Sequence, residues 1–239
     1  SDDGVTLGVS RDGKALEFKM NKEVVESPAV RYRYLPDKDI AVISIDNFYK
    51  DKAAQELFKS IVTNDRPSAY VIDLRGNIGG SETNFINATS MFVDKGLIAR
   101  EIERQPSNPG KPIYTVTDYV LQKEGLSVSS FEKETGTPIK PARLSQRIPD
   151  MVDQPVAILI DGGSYSAAES FAAALRDNGD AILVGTKSGG KGIGQTTFPI
   201  PGVGALKLTT QKQLTPAGLW LGNAADKRYG LEPDIVVEM

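Results

Sequence analysis

The order of apolar and polar residues near the start of the chain is typical of a β-hairpin. Apolar residues occupy every second position over residues 5–9 and again over residues 16–20, on either side of an Asp12-Gly13 turn. Such alternation places the apolar side chains on one face of each strand, and Asp-Gly favours a tight turn between two strands. We therefore predict a small N-terminal β segment over residues 1–30.

From Ile40 onwards, short apolar runs alternate with segments of helical periodicity. Four runs have the length of buried strands: 40–45, 69–74, 155–161 and 181–185. Three segments repeat apolar residues at helical spacing: 54–62, 85–92 and 166–177. Strand–helix–strand alternation predicts an α/β core with parallel strands, followed by β-rich sequence after a glycine-rich loop at 188–194.

Residues 101–153 show the weakest periodicity. They include six prolines among many charged residues: Pro106, Pro109, Pro112, Pro138, Pro141 and Pro149. Proline interrupts both helices and sheet ladders, and long aperiodic stretches inside a domain are uncommon and usually functional. We expect an irregular insertion or lid inside one core domain of residues 31–239.

The composition limits the chemistry. The 239 residues include no histidine and no cysteine, which excludes a Ser/His/Asp triad, a cysteine nucleophile and zinc sites built from imidazole or thiolate. A general base must then be Lys, Asp, Glu, Tyr or a water chain. The formal charge is -3, so no nucleic-acid footprint is visible, and the apolar runs are too short to span a bilayer.

Ser166 lies where a predicted strand gives way to a predicted helix. Gly162 and Gly163 allow a sharp turn, and Ser166 with Glu169 three residues later fits a capping box. One interpretation is that Ser166 only caps the helix. The other is a nucleophile at a helix N-terminus, where free N–H groups stabilise negative charge on an attacked carbonyl oxygen. The two interpretations are compatible.

Lys191 lies among glycines in the segment Gly189-Gly190-Lys191-Gly192-Ile193-Gly194-Gln195. Without bulky neighbours in the chain, its side chain can pack close to backbone. A lysine that leaves water holds its proton less tightly, and a neutral amine can accept a proton from serine. The alternative is a solvated lysine on a flexible surface loop.

A third segment, Asp73-Leu74-Arg75-Gly76-Asn77-Ile78-Gly79-Gly80, follows a predicted buried strand. Loops at the carboxyl ends of parallel strands meet at one edge of the sheet, so this loop and the Ser166 turn could face one crevice. Gly79 or Gly80 would then direct a backbone N–H at an oxyanion. Alternatively, the glycines form only a tight turn and Asp73 and Arg75 a structural ion pair.

Two rival motifs are weaker. Residues 185–191 match most of a phosphate-binding P-loop, but Gly192 stands where Ser or Thr should hold magnesium, so nucleotide binding is a distant alternative. Ser130 and Lys133 have the Ser-x-x-Lys spacing of β-lactamase-like enzymes without the companion motifs.

Taken together, the segments resemble the C-terminal processing peptidases, or tail-specific proteases, a family of Ser/Lys serine peptidases. The matching motifs are Asp73–Gly80, Gly163–Glu169 and Gly190–Gln195. Three later segments also match: 208–210, 215–218 and 230–235. Several ordered motifs at compatible spacing carry far more weight than any one of them.

The resemblance implies a role for each matching residue. Ser166 corresponds to the nucleophile, Lys191 to the general base 25 residues later, and Gln195 to the residue that holds the lysine amine. The oxyanion hole would combine Gly79 or Gly80 with the N–H of Ala167. Asp177 matches a residue sometimes given an assisting role, but eleven helical residues put it roughly 16 Å from Ser166 along the axis.

The resemblance also implies a crotonase/Clp-like ββα superhelix as the fold of the α/β peptidase core, with residues 1–30 as a remnant of a PDZ domain. It implies an endopeptidase that acts near the C-terminus of polypeptides, prefers apolar residues and needs no metal or organic cofactor. A homo-oligomer and a periplasmic, envelope or organelle-lumen location would fit. Tyr165 stands where the family has a small residue and would narrow the pocket.

A second hypothesis keeps the fold without the catalysis. Because a substrate-capturing PDZ domain is largely missing and a lid is expected, the chain could instead be a catalytically silent peptide-binding scaffold.

Overall fold

Two six-stranded sheets, a separate hairpin and three helices make up the part of the chain that the computed structural model describes, residues 4–21, 23, 28–49, 53–64, 66–105, 112–145, 153–179 and 181–238. The strands are β1 (Gly4–Arg11), β2 (Lys14–Asn21), β3 (Val30–Leu35), β4 (Ile40–Ile45), β5 (Ala69–Asp73), β6 (Gly96–Gln105), β7 (Ile113–Gln122), β8 (Gly125–Glu132), β9 (Pro138–Ser145), β10 (Val156–Ile160), β11 (Ala181–Gly185), β12 (Ile193–Ile200), β13 (Gly204–Leu214) and β14 (Ile235–Val236). The helices are α1 (Ala53–Val62), α2 (Glu82–Thr89) and α3 (Ala167–Asp177).

The predicted hairpin is confirmed. β1 and β2 pair antiparallel around Asp12 and Gly13, both of which have positive φ, as a two-residue turn of this kind requires. Their apolar side chains share one face, on which Val9 is half-buried and the others are exposed. The origin of this hairpin as part of a PDZ domain stays a prediction.

The predicted parallel core is also confirmed. The first sheet, which we call the core sheet, has the order β14-β11-β10-β5-β4-β3; its strands run parallel except for β3, which pairs antiparallel with β4 at the edge. The helices pack beside it, α1 against α2 and α2 against α3, and Phe171 of α3 lies in the buried core. The Phe171 ring lies 5.8 Å from the rings of both Phe48 and Phe92, and all three are buried.

The expectation of an irregular stretch at 101–153 is wrong for its described residues. Strands β6 to β9 run through it and join β12 and β13 in an antiparallel sheet, the second sheet, with the order β12-β13-β6-β7-β8-β9. These strands are rich in Thr, Ser, Tyr and charged residues, so their apolar signal is weak although their β-propensity is high. Pro138 opens β9 and Pro141 lies within it, which is tolerated because β9 is an edge strand.

Residues 106–111 and 146–152 of that stretch lie outside the described residues, and its role as a lid stays a prediction. Within the described ranges, no helix is long and apolar enough to cross a membrane. The two sheets meet beside α2 and the start of α3, and this junction contains the candidate site.

Candidate active site

Ser166 precedes the first residue of α3 in a conformation that an ordinary capping serine does not adopt. Its φ of 57° and ψ of -119° lie in a region that favours glycine, whereas an N-cap residue is normally extended. Strained backbone at a polar residue is typical of functional turns. The geometry therefore favours a functional turn over a cap alone.

The two loops expected to share a crevice are interlocked. Asp161 Oδ1 accepts hydrogen bonds from the N–H groups of Gly76 and Gly163, each at 2.9 Å. Asn77 is fully buried; its backbone oxygen accepts from the N–H of Tyr165 at 2.8 Å, and its side chain donates to the oxygen of Ile45 at 2.7 Å. The loop after β5 thus positions the residue before Ser166. The ion pair of the alternative interpretation is present too, since Arg75 Nη2 lies 2.7 Å from Asp73 Oδ2.

Gly79 lies directly against the Ser166 turn. A Cβ on Gly79 would come within 2.8 Å of Ser166 Cβ and 2.9 Å of the Ala167 nitrogen. Its own N–H donates to Asn77 Oδ1 at 2.9 Å. The N–H groups of Gly80 and Ala167, by contrast, have no hydrogen-bond partner among the described residues and are the better pair for an oxyanion.

Glu169 connects the turn to the glycine-rich loop. This carboxyl is fully buried, and its two oxygens accept hydrogen bonds from the N–H groups of Ser166, Gly190 and Lys191, each at 2.8 Å. The Ser188 hydroxyl is a fourth donor at 2.5 Å. Sequence analysis assigned Glu169 only to a capping box. Its link to the lysine loop depends on a contact 22 residues away, which no local pattern shows.

Ser166 and Lys191 line one cavity of about 220 Å³ together with Gly80, Ala167 and Gln195. Lys191 is half-buried, and within the described ranges its amine makes no ion pair or hydrogen bond. Gln195 is exposed, at a β-bulge between β12 and β13, and makes no hydrogen bond to that amine among the described contacts. Its predicted hold on the lysine stays a prediction.

The opposite wall of the cavity carries acidic residues that sequence analysis missed. Glu82 opens α2, and Glu101 lies on β6, where its side chain is only 6% exposed. Glu101 accepts hydrogen bonds from Tyr119 at 3.3 Å and from Gln213, its neighbour on β13, at 3.2 Å. Burial, together with the charge and hydrogen bond of Glu82, raises the pKa of Glu101 to about 8. The same burial raises the pKa of Tyr119.

Other candidates from the sequence lie elsewhere. Asp177 is paired with Arg176 and accepts from the N–H of Ala217, and it does not line the cavity. Tyr165 does not narrow the cavity as expected, because its ring packs on Gly189 and its hydroxyl accepts from Arg228. Ser130 shares a hydrogen bond with Thr117 in the second sheet.

The P-loop alternative lacks its donors. The N–H groups of Gly190 and Lys191 donate to Glu169, and those of Gly189 and Gly192 donate to backbone oxygens. A phosphate cradle needs such groups to be free. In the described part of the chain, no group of three or more acidic side chains is placed to hold a metal ion.

Comparison with known proteins points to a family of peptidases. The family model described as Peptidase family S41 matches residues 39–237. The carboxy-terminal-processing protease of Bartonella bacilliformis is 32% identical over 242 residues, covering 98% of this chain and 47% of that protein. A probable CtpA-like serine protease of Staphylococcus aureus is 28% identical over 236 residues, covering 98% and 40%. The chain spans less than half the length of these curated relatives.

Two solved structures share the fold. The photosystem II D1 C-terminal processing protease matches with a TM-score of 0.61 and 19% identity, covering 100% of this chain and 56% of that one. Mature CPAF matches with a TM-score of 0.58 and 16% identity, covering 97% and 62%. The mixed, sheet-rich α/β fold is thus that of S41 protease structures, while the more detailed description as a ββα superhelix stays a prediction. Because the family model matches residues 39–237, the chain belongs to peptidase family S41.

Proposed function

We propose that this chain is the catalytic part of a serine endopeptidase that cleaves polypeptides near their C-terminus with Ser166 as nucleophile and Lys191 as general base. The main support is one cavity lined by both side chains, with Ser166 in a strained turn at the head of α3. Action near a C-terminus rests on the names of the relatives, which are carboxy-terminal-processing proteases. An extracytoplasmic location is part of the same proposal.

The proposed reaction has two halves. Ser166 Oγ attacks the scissile carbonyl carbon while its proton passes to Lys191 Nζ, and the resulting oxyanion is stabilised by the N–H groups of Gly80 and Ala167. The C–N bond then breaks as the lysine returns the proton to the leaving amine. Water hydrolyses the acyl-enzyme with the same amine taking and returning a proton.

The absence of an ion pair at the Lys191 amine among the described contacts supports the role of base. A carboxylate partner would hold the amine in its protonated form, which cannot accept a proton from serine. Glu169 instead accepts a hydrogen bond from the backbone N–H of Lys191. It therefore fixes the lysine backbone without pairing with the amine.

The test is peptide hydrolysis by Ser166→Ala and Lys191→Ala, each of which should lower kcat/KM by about three orders of magnitude or more. Lys187→Ala is the matched control, because Lys187 lies four residues earlier, in an exposed pair with Glu232, and should leave activity unchanged. Near-normal hydrolysis by Lys191→Ala would rule out the assigned base.

A serine-reactive probe separates the enzyme from the silent scaffold. Stoichiometric labelling of the parent protein at Ser166, absent from Ser166→Ala, is expected for the enzyme. Retained peptide affinity with no labelling and no hydrolysis would instead establish the peptide-binding scaffold.

A further inference from the structure

The residues that line the cavity of Ser166 differ in exposure. Tyr49, Gln195 and Lys207 are exposed, whereas Glu101 and Phe85 are buried. A volume of about 220 Å³ accommodates one long side chain of a bound peptide. The buried residues of the lining then decide which side chain of a peptide fits.

We propose that the Glu82–Glu101 pair makes this cavity a specificity pocket for a cationic side chain of the substrate, lysine or arginine, next to the scissile bond. This rests on the proposed peptidase function and names its substrate class. It differs from the apolar preference that the family resemblance implies.

Hydrogen bonds hold the carboxyl of Glu101 in one orientation. Tyr119 and the amide of Gln213 donate to its two oxygens, and Gln213 Oε1 accepts from Ser170 at 3.1 Å, which fixes the amide orientation. The carboxyl is therefore held in place by β7, β13 and α3. A side chain fixed in this way, at a cavity wall, presents a pre-formed acceptor.

Glu82 and Glu101 are the acidic residues of the described cavity lining. The titratable groups that set the pKa of Glu101 are Glu82 from α2 and Tyr119 from β7, and no cation is among the causes. Two carboxyls brought together repel each other when ionised, and a cation beside them relieves that repulsion. Lys191 and Lys207 line the same cavity, but neither is among the groups that shift the pKa of Glu101, so the acidic pair is left to a cation from the substrate.

A cation beside Glu101 favours the ionised form of a carboxyl whose pKa is raised. Binding at neutral pH then releases a proton to the buffer, and affinity for the cation rises as Glu101 ionises towards alkaline pH. Binding of an uncharged side chain of the same length should release no proton and should not strengthen as the pH rises. The signature is thus a preference for lysine over norleucine that grows with pH.

The test measures the binding of peptides to the Ser166→Ala variant, so that the result does not depend on catalysis. Pairs of peptides differ only by Lys or norleucine at one position, scanned along a parent peptide. At one position, the lysine peptide should bind about ten-fold tighter than the norleucine peptide at pH 9, as expected for one charge-assisted contact. At pH 6 the ratio of the two affinities should be smaller. Calorimetry at pH 7 in two buffers of different ionisation heat should show proton release for the lysine peptide alone.

Glu101→Gln and Glu82→Gln, each in the Ser166→Ala background, should abolish the preference, and Glu103→Gln, on the same strand but outside the cavity, should keep it. Equal or tighter binding of norleucine at every position, or a lysine preference that survives both substitutions, overturns the pocket assignment. Failure of the serine probe to label the parent protein would refute the peptidase proposal and leave this binding result to decide the pocket.

Discussion

Ser166 shows how one residue can be placed at an energetic cost. A serine at φ 57° and ψ -119° carries strain on the order of 1–3 kcal/mol that glycine would not. The interlocked loops and the buried carboxylate of Glu169 supply the contacts that hold it there. Such a strained backbone conformation, stabilised by several contacts, is expected where the serine hydroxyl is required for function.

Replacement of Ser166 by glycine and by alanine tests that strain. Both variants lack the hydroxyl, but only glycine relaxes, so Ser166→Gly should be more stable than Ser166→Ala by about 1 kcal/mol in urea unfolding. Ser170, inside α3, is the control position, where the order should reverse because glycine weakens a helix. An alanine variant as stable as the glycine variant at position 166 would contradict the strain.

Gly79 gives a second prediction at this scale. Gly79→Ala should lower kcat/KM about 100-fold, because its Cβ would displace the backbone on both sides of Ser166. Gly76→Ala is the matched control: it has a similar positive φ of 71° against 92°, but its Cβ would meet open space. Equal losses in the two variants would mean that backbone strain, not contact with the turn, sets the effect.

At the scale of elements, α3 and the loop before β12 are joined by Glu169. Glu169→Gln should cost about 2–4 kcal/mol of folding free energy, because an amide places donors against N–H groups that need an acceptor. Activity should fall about 100-fold, since the serine turn and the lysine loop lose their common anchor. Glu232→Gln, in an exposed pair with Lys187, should change neither quantity. A stable and active Glu169→Gln variant would show that the anchor is dispensable.

The same scale shows what the sequence could predict. The core strands and α3 have strong apolar periodicity, and the loop over residues 73–80 was correctly expected to lie beside the Ser166 turn. The second sheet was missed because its strands are polar, and because the pairing that joins its two groups of consecutive strands, β6 with β13, is distant in sequence. Glu101 was missed for that reason: its partner Gln213 is 112 residues away.

At the scale of the whole molecule, the candidate site belongs to neither sheet alone. The core sheet and its helices contribute Ser166, and the second sheet contributes Glu101 and the wall opposite. Ser170 of α3 contacts Gln213 of β13 across the same junction. Glu101, at the start of the stretch expected to be a lid, thus lines the cavity. Its protonation should affect the stability of the junction between the core sheet and the second sheet.

That junction should make the stability of the whole fold depend on pH. Because the pKa of Glu101 is raised from 4.5 to about 8 by folding, the folded state binds a proton that the unfolded chain releases, so this stabilising contribution is complete below about pH 4.5 and is lost as the pH rises through about 8. Urea unfolding at pH 5 and pH 9 should therefore show a larger loss of stability for the parent protein than for Glu101→Gln, which cannot ionise. Glu103→Gln should follow the parent protein, and identical pH dependence in the parent and Glu101→Gln would show that Glu101 is already ionised in the fold at low pH.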